Sequence, residues 1–142
     1  VLFENINITI QKEEVLKKES LSGISVYSAD RTSMDFQIEK KLFNIKQIYD
    51  SNLIKHLIEE YSNPGIILFG SFSKGEDIED SDIDLYIETA SKKEVKFEKF
   101  EKILKRKIQI FKYLNLKGIS NVHLANNIVN GIILNNFIEV FK

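Results

Sequence analysis

Apolar residues recur along this chain with two periods, and the switches between them lay out its elements. From Asp35 to Tyr61 the period is helical. Leu42, Phe43, Ile45, Ile48 and Tyr49 form one stripe, and Leu53, Ile54, Leu57, Ile58 and Tyr61 form another. Asp50-Ser51-Asn52 interrupts them with capping residues, which predicts two helices with a break there. Asn63-Pro64-Gly65 ends the second helix, and the apolar run Ile66 to Phe69, stopped by Gly70, fits a strand covered on both faces. Ser81 to Glu88 reads as a second strand and Lys107 to Tyr113, which alternates, as a third. Between them Ser91 is placed to cap a helix over Lys92–Lys105, with Val95, Phe97, Phe100, Ile103 and Leu104 roughly on one side. Ser120 or Asn121 caps a last helix to about Leu134, and Phe137–Phe141 is expected to add a short edge strand. Ahead of all these, Ile10–Glu19 favours helix, Gly23 is its stop, and Ile24–Tyr27 alternates like a strand.

The chemistry concentrates in Pro64–Glu88. Gly70 has no Cβ, so the chain can turn sharply and a ligand can approach the backbone. Ser71 adds a hydroxyl, and a short helix starting there would aim its free N–H groups at an anion over the turn. Asp82 and Asp84 are two apart, so on a strand both carboxylates leave the same face, about 6–7 Å apart at the backbone. Such a pair repels itself unless a cation lies between, and oxygen-only ligands select Mg²⁺ or Mn²⁺. A phosphate cradle beside a divalent-metal pair describes a site for a nucleoside triphosphate.

Gly70-Ser71, then Gly75, then Ser81-Asp82-Ile83-Asp84-Leu85 resembles the signature of the minimal nucleotidyltransferases of the polymerase-beta-like superfamily, including their archaeal and antitoxin-type members. The resemblance implies an α/β (α+β) nucleotidyltransferase fold, a small mixed β-sheet flanked by helices, over residues 35–142. It implies transfer of a nucleoside monophosphate to a hydroxyl, on a protein or an RNA, with ATP the expected nucleotide. Gly70, Ser71 and Gly75 would hold the phosphates, with Lys74 either joining them or standing as an exposed lysine in an acidic loop. Asp82 and Asp84 would bind Mg²⁺ (or Mn²⁺) and carry the catalysis. The family usually has a third carboxylate on the strand after the basic helix, and Gln109 stands there. An amide can offer an oxygen to a metal but cannot act as a general base. Glu88 has the parity of the aspartates but lies roughly 13 Å along the strand from Asp84, and the directions of Glu98 and Glu101 are open.

Residues 1–34 form an appendage with two readings. Their helix-then-strand order resembles the back half of a winged helix, which would bind DNA only if completed; the other reading is an arm packed on the domain. The missing Met at position 1 hints at a segment of a longer chain.

Composition narrows the class further. At 142 residues, 43% apolar and 29% charged, the chain is long enough for one domain with its own core. It has no cysteine, which excludes disulfides, thiol catalysis and zinc–cysteine sites. With no secretory or membrane-length apolar segment, the expectation is a cytoplasmic protein without a membrane partner. A net charge of −1 gives no global case for nucleic-acid binding. It conceals six acids and no base in Glu76–Asp84, followed by eight bases and three acids in Lys92–Lys107. Those lysines are either a solvated helix face or partners for a triphosphate or a nucleic-acid acceptor. His56 and His123 have no partner acid nearby in sequence and are read as structural. Three functions stay in view: an active transferase, a nucleotide-binding module that has lost turnover, and a DNA-associated regulator.

Overall fold

The computed structural model describes residues 15–141. Its first element is an antiparallel hairpin of β1 (Leu16–Leu21) and β2 (Ile24–Ala29). Ser22 and Gly23 join the strands with φ of 52° and 79°, the left-handed two-residue turn whose twist suits a tight hairpin. This corrects the helix expected over Ile10–Glu19: Leu16–Glu19 are strand, because the turn folds them back against Val26–Ala29. The rest of that helix lies outside the described residues. Ile24–Tyr27 is strand as expected, and both strands are largely exposed, Leu21 and Ile24 included.

Ser33 accepts the Phe36 N–H and starts α1 (Met34–Asp50). The helix stops where the Ser51 hydroxyl turns back onto the Ile48 carbonyl and Asn52 takes φ 63°, after which α2 (Leu53–Tyr61) begins. The predicted break therefore falls at Ser51-Asn52. Ile48 is fully buried, but Leu42 and Phe43 are more than half exposed, so α1 carries part of its apolar stripe outward.

A four-stranded sheet follows, in the order β5-β4-β3-β6. β3 (Gly65–Phe69) runs antiparallel to β4 (Ile83–Glu88), which is parallel to β5 (Ile108–Tyr113); β6 (Ile132–Asn135) pairs antiparallel to the other edge of β3. All five residues of β3 are buried, because the sheet is covered on both sides. Ile66, Leu68, Ile83, Leu85 and Ile87 pack with Ile48, Leu53, Leu57, Phe100 and Leu104. Ile67, Phe69 and Tyr86 pack on the opposite face with Ile119 and Ile128. A short helix, α3 (Gly70–Lys74), follows β3 directly.

Two later helices are shorter than their sequence suggests. Only Glu98–Leu104 forms α4, whereas Ser91–Phe97 has no regular structure. There Tyr61 and Lys112 both donate to the Lys93 carbonyl, and Val95 and Phe97, two apart, both pack on the core. These contacts hold the segment out of a helix and override the helical propensity of the lysine run. Asn121 caps α5 (Val122–Val129), which stops at Asn130-Gly131, so Ile132–Asn135 is strand rather than helix. The free edge of β3 offers these residues a ladder, and Phe137–Phe141 form no strand. His56 packs on Phe100 with the rings tilted and their centroids 5.1 Å apart, and His123 is exposed. Among the described residues no helix is long and apolar enough to cross a membrane.

The loop between α3 and β4 is tied to the helices by a buried carboxylate. The Asp77 side chain is fully buried; Asn44 donates to its Oδ1 at 2.7 Å, and Lys40 and Arg106 donate to its Oδ2 at 2.7 and 2.9 Å. Arg31, just after the hairpin, donates to the Asp77 carbonyl at 2.6 Å. Asp77→Ala strands two cations and an amide. It is expected to lower unfolding free energy by about 3 kcal/mol, at the low end for a broken buried pair because Lys40 and Arg106 keep some contact with water. Urea titration measures this, and a change below about 1 kcal/mol would show that the cluster is not holding the loop.

Candidate functional site

The turn from β3 into α3 is built around one glycine. Gly70 has φ 77°, and a Cβ on it would run into Oδ2 of Asp84. Both the left-handed backbone and the carboxylate lying over it require the missing side chain. Ser73, buried, donates to the Gly70 carbonyl at 2.7 Å and closes the turn, while Ser71 is half-buried. Lys74 is exposed and makes no hydrogen bond or ion pair among the described residues. Gly75, also left-handed at φ 71°, meets α1 instead: a Cβ there would stand 2.5 Å from the Gln37 carbonyl. The structure thus brings Gly70 against Asp84 and sets Gly75 against a helix.

Sheet register assembles the remaining candidates. Phe69 pairs with Asp84 across β3 and β4, and Asp84 pairs with Gln109 across β4 and β5, so three strands meet in one row. Asp84 and Gln109 have the parity of Tyr86 and Phe111, away from Ile83, Leu85 and Ile108. Asp82 lies one residue ahead of β4 and is exposed; Asp84 is half-buried. Burial, and secondarily the charge of Asp82, raise the Asp84 pKa above the ordinary aspartate value. A glycine turn, a serine and two mutually repelling carboxylates therefore meet at the end of β3 and the start of β4.

Residues 50–134 match the family model of the nucleotidyltransferase domain. The chain belongs to that family. No curated protein and no solved structure matches the chain significantly. The matched span of the nucleotidyltransferase domain contains Gly70, Ser71, Lys74, Gly75, Asp82, Asp84 and Gln109, and leaves the hairpin and most of α1 outside.

Within this nucleotidyltransferase domain the acids other than the two aspartates have separate duties. Glu88 accepts the Tyr86 hydroxyl at 2.9 Å; burial and this bond push the Tyr86 pKa far up. Glu101 accepts the Ile108 N–H at 3.0 Å and lies 3.8 Å from Lys107, so it secures the entry to β5. Glu98 is exposed on α4. Among the described residues no group of three or more His, Cys, Asp or Glu is arranged to hold a metal ion. The oxygen donors around the turn are Asp82, Asp84 and, in register, the Gln109 amide.

Sequence reasoning passed over Asp77 and Arg106, the first counted only among the six acids of Glu76–Asp84 and the second only among the eight bases of Lys92–Lys107. One signal was present. The chain has only two arginines among 20 basic residues, and both Arg31 and Arg106 end on Asp77. Where lysine is the rule, an arginine suggests a need for its fork of donors.

Two substitutions probe the geometry. Gly70→Ala is expected to cost at least about 1–2 kcal/mol from the left-handed backbone alone, with the Asp84 carboxylate displaced as well; thermal and urea unfolding read this. Asp84→Asn should raise Tm at neutral pH with metal ions chelated. A raised folded-state pKa makes ionised Asp84 a liability above that pKa, and the liability fades as pH falls through it. The gain in Tm should therefore shrink toward acid pH, and a pH-independent Tm difference would contradict this assignment.

Proposed function

We propose that the chain is a Mg²⁺-dependent nucleotidyltransferase that moves a nucleoside monophosphate from a nucleoside triphosphate, ATP foremost, to a hydroxyl on a protein or an RNA. The observation that carries this reading is the Asp84 carboxylate lying over Gly70, beside Ser71 and close in sequence to Asp82. The donor set fits the ion: Mg²⁺ is commonly held by one or two carboxylates, with phosphate oxygens and water completing its shell. Like-charge repulsion at Asp84 is relieved by a cation.

Asp82 and Asp84 would hold the ion, which when bound neutralises phosphate charge and stabilises the attacking and leaving oxygens. The Gly70 backbone and the Ser71 hydroxyl fix the phosphates; Lys74, exposed and unpaired among the described residues, is free to swing toward them. The acceptor oxygen bonds to the α-phosphorus, the bond to the bridging oxygen breaks, and pyrophosphate leaves with the electron pair. The hydroxyl proton passes to solvent, because Gln109 has no basic oxygen to take it.

A second reading is favoured by Gln109 itself: a module that binds nucleotide with little turnover. The amide sits in register beside Asp84, and no other acid joins the pair among the described residues. Calorimetric titration of the four ribonucleoside triphosphates, with and without Mg²⁺, tests the site without choosing an acceptor. Metal-dependent binding, tightest for ATP and abolished in Asp82→Asn/Asp84→Asn, is expected; equal binding by that variant would sink the reading. Gln109→Asp then separates the two. A gain in transfer of about 10²-fold or more, the scale of general-base catalysis, marks the natural chain as the binding module, whereas transfer by the natural chain that Gln109→Asp does not improve marks it as the enzyme.

A further inference from the structure

We infer that Arg106 is a positioning residue for the carboxylate pair, holding the backbone ahead of Asp82 so that its side chain is presented beside Asp84. The inference rests on the reading of Asp82 and Asp84 as metal ligands. Asp82 is exposed and makes no hydrogen bond of its own among the described residues, so its backbone must place it.

That backbone is held on both sides. Arg106 Nη2 donates to Asp77 Oδ2 at 2.9 Å, while Nη1 donates to the carbonyls of Ile78 and Glu79 and reaches that of Ser81 at 3.4 Å. One guanidinium thus gathers four acceptors from Asp77 to Ser81. Ser81 tightens the same turn, donating its N–H to the Ile78 carbonyl and accepting the Ile78 N–H at 2.9 Å on its hydroxyl. On the far side of Asp82, Ile83 donates to the Lys107 carbonyl at 2.8 Å. The loop and the first rung of β4 therefore both hang on consecutive residues, Arg106 by its side chain and Lys107 by its backbone. Asp77 in turn is fixed to α1 through Lys40 and Asn44.

The charge of Arg106 alone does not explain this arrangement. Lysine at 106 could still face the Asp77 carboxylate, but a single ammonium cannot serve that carboxylate and the loop carbonyls together. Arg106→Lys should keep the ion pair and release the loop. Arg106→Gln, which also removes the charge, is the harsher companion.

Three readouts on the described chain test this: amide hydrogen exchange, binding of Mn²⁺ with ATP followed by the Mn²⁺ resonance signal, and Tm. In Arg106→Lys, exchange at 78–83 should accelerate at least tenfold relative to β3, and Mn²⁺ affinity should fall about 10–100-fold, the usual effect of losing an outer-shell partner. Ile128→Val, a change in the core on the opposite face of the sheet, which holds no residue of 76–83, should lower Tm without moving either of the other two readouts. Unchanged exchange and Mn²⁺ affinity in Arg106→Lys would overturn the positioning role. So would equal losses in Ile128→Val, which would make the effect one of general stability. If the unaltered chain fails to bind Mn²⁺ with ATP, the ligand reading falls with it, and the exchange rates alone still decide whether Arg106 holds the loop.

Discussion

A carboxylate taken out of water is costly unless every lone pair finds a donor, and Asp77 is the place where this protein accepts that constraint. Its oxygens are met by Lys40, Asn44 and Arg106, and its carbonyl by Arg31. Those four donors come from the segment after the hairpin, from α1 and from the entry to β5, so a single side chain ties three parts of the chain to the loop that delivers Asp82. Hydrophobic packing alone would not specify that loop. Ile78 is exposed, and the segment from Glu76 to Ser81 has no regular structure of its own.

The two sides of the site are stabilised in opposite ways. On the loop side polar groups are satisfied: no buried side-chain polar atom among the described residues lacks a partner. On the turn side the chain keeps a feature that opposes folding, a half-buried Asp84 repelled by Asp82. Perturbed carboxylates of this kind cluster at functional sites. The cost is carried by the sheet beneath, where Phe69 and Phe111 meet edge to face at 5.2 Å and the neighbouring Tyr86 is wholly buried.

Gln109 shows how register converts a sequence position into chemistry. Parallel pairing of β4 and β5 sets it beside Asp84, so a carboxylate at 109 would have stood next to the pair. The amide leaves an oxygen donor there and removes both a charge and a base. Glu101 does not fill the gap, because its carboxylate caps the Ile108 N–H, and Glu88 is engaged by Tyr86. Under the proposed function, Gln109 is therefore the position at which turnover and nucleotide binding would part.

Local pattern by itself determined the helix pair with its break at Ser51-Asn52, the buried strand Gly65–Phe69 and the Gly-Ser turn with its two aspartates, since period, capping and glycine placement are properties of neighbouring residues. It misjudged segments whose state depends on distant partners. Leu16–Glu19 became strand by pairing across a tight turn, Ser91–Phe97 was held out of its helix by Tyr61 and Lys112, and Ile132–Asn135 went to the edge of β3. The duties of Asp77 and Arg106 were likewise decided by tertiary structure, because an acid and a base separated by 29 residues become a pair only after the sheet brings α4 beside the loop. Spacing along the chain carries short-range chemistry; burial and long-range register, which choose among equally plausible local states, exist only once the chain has folded.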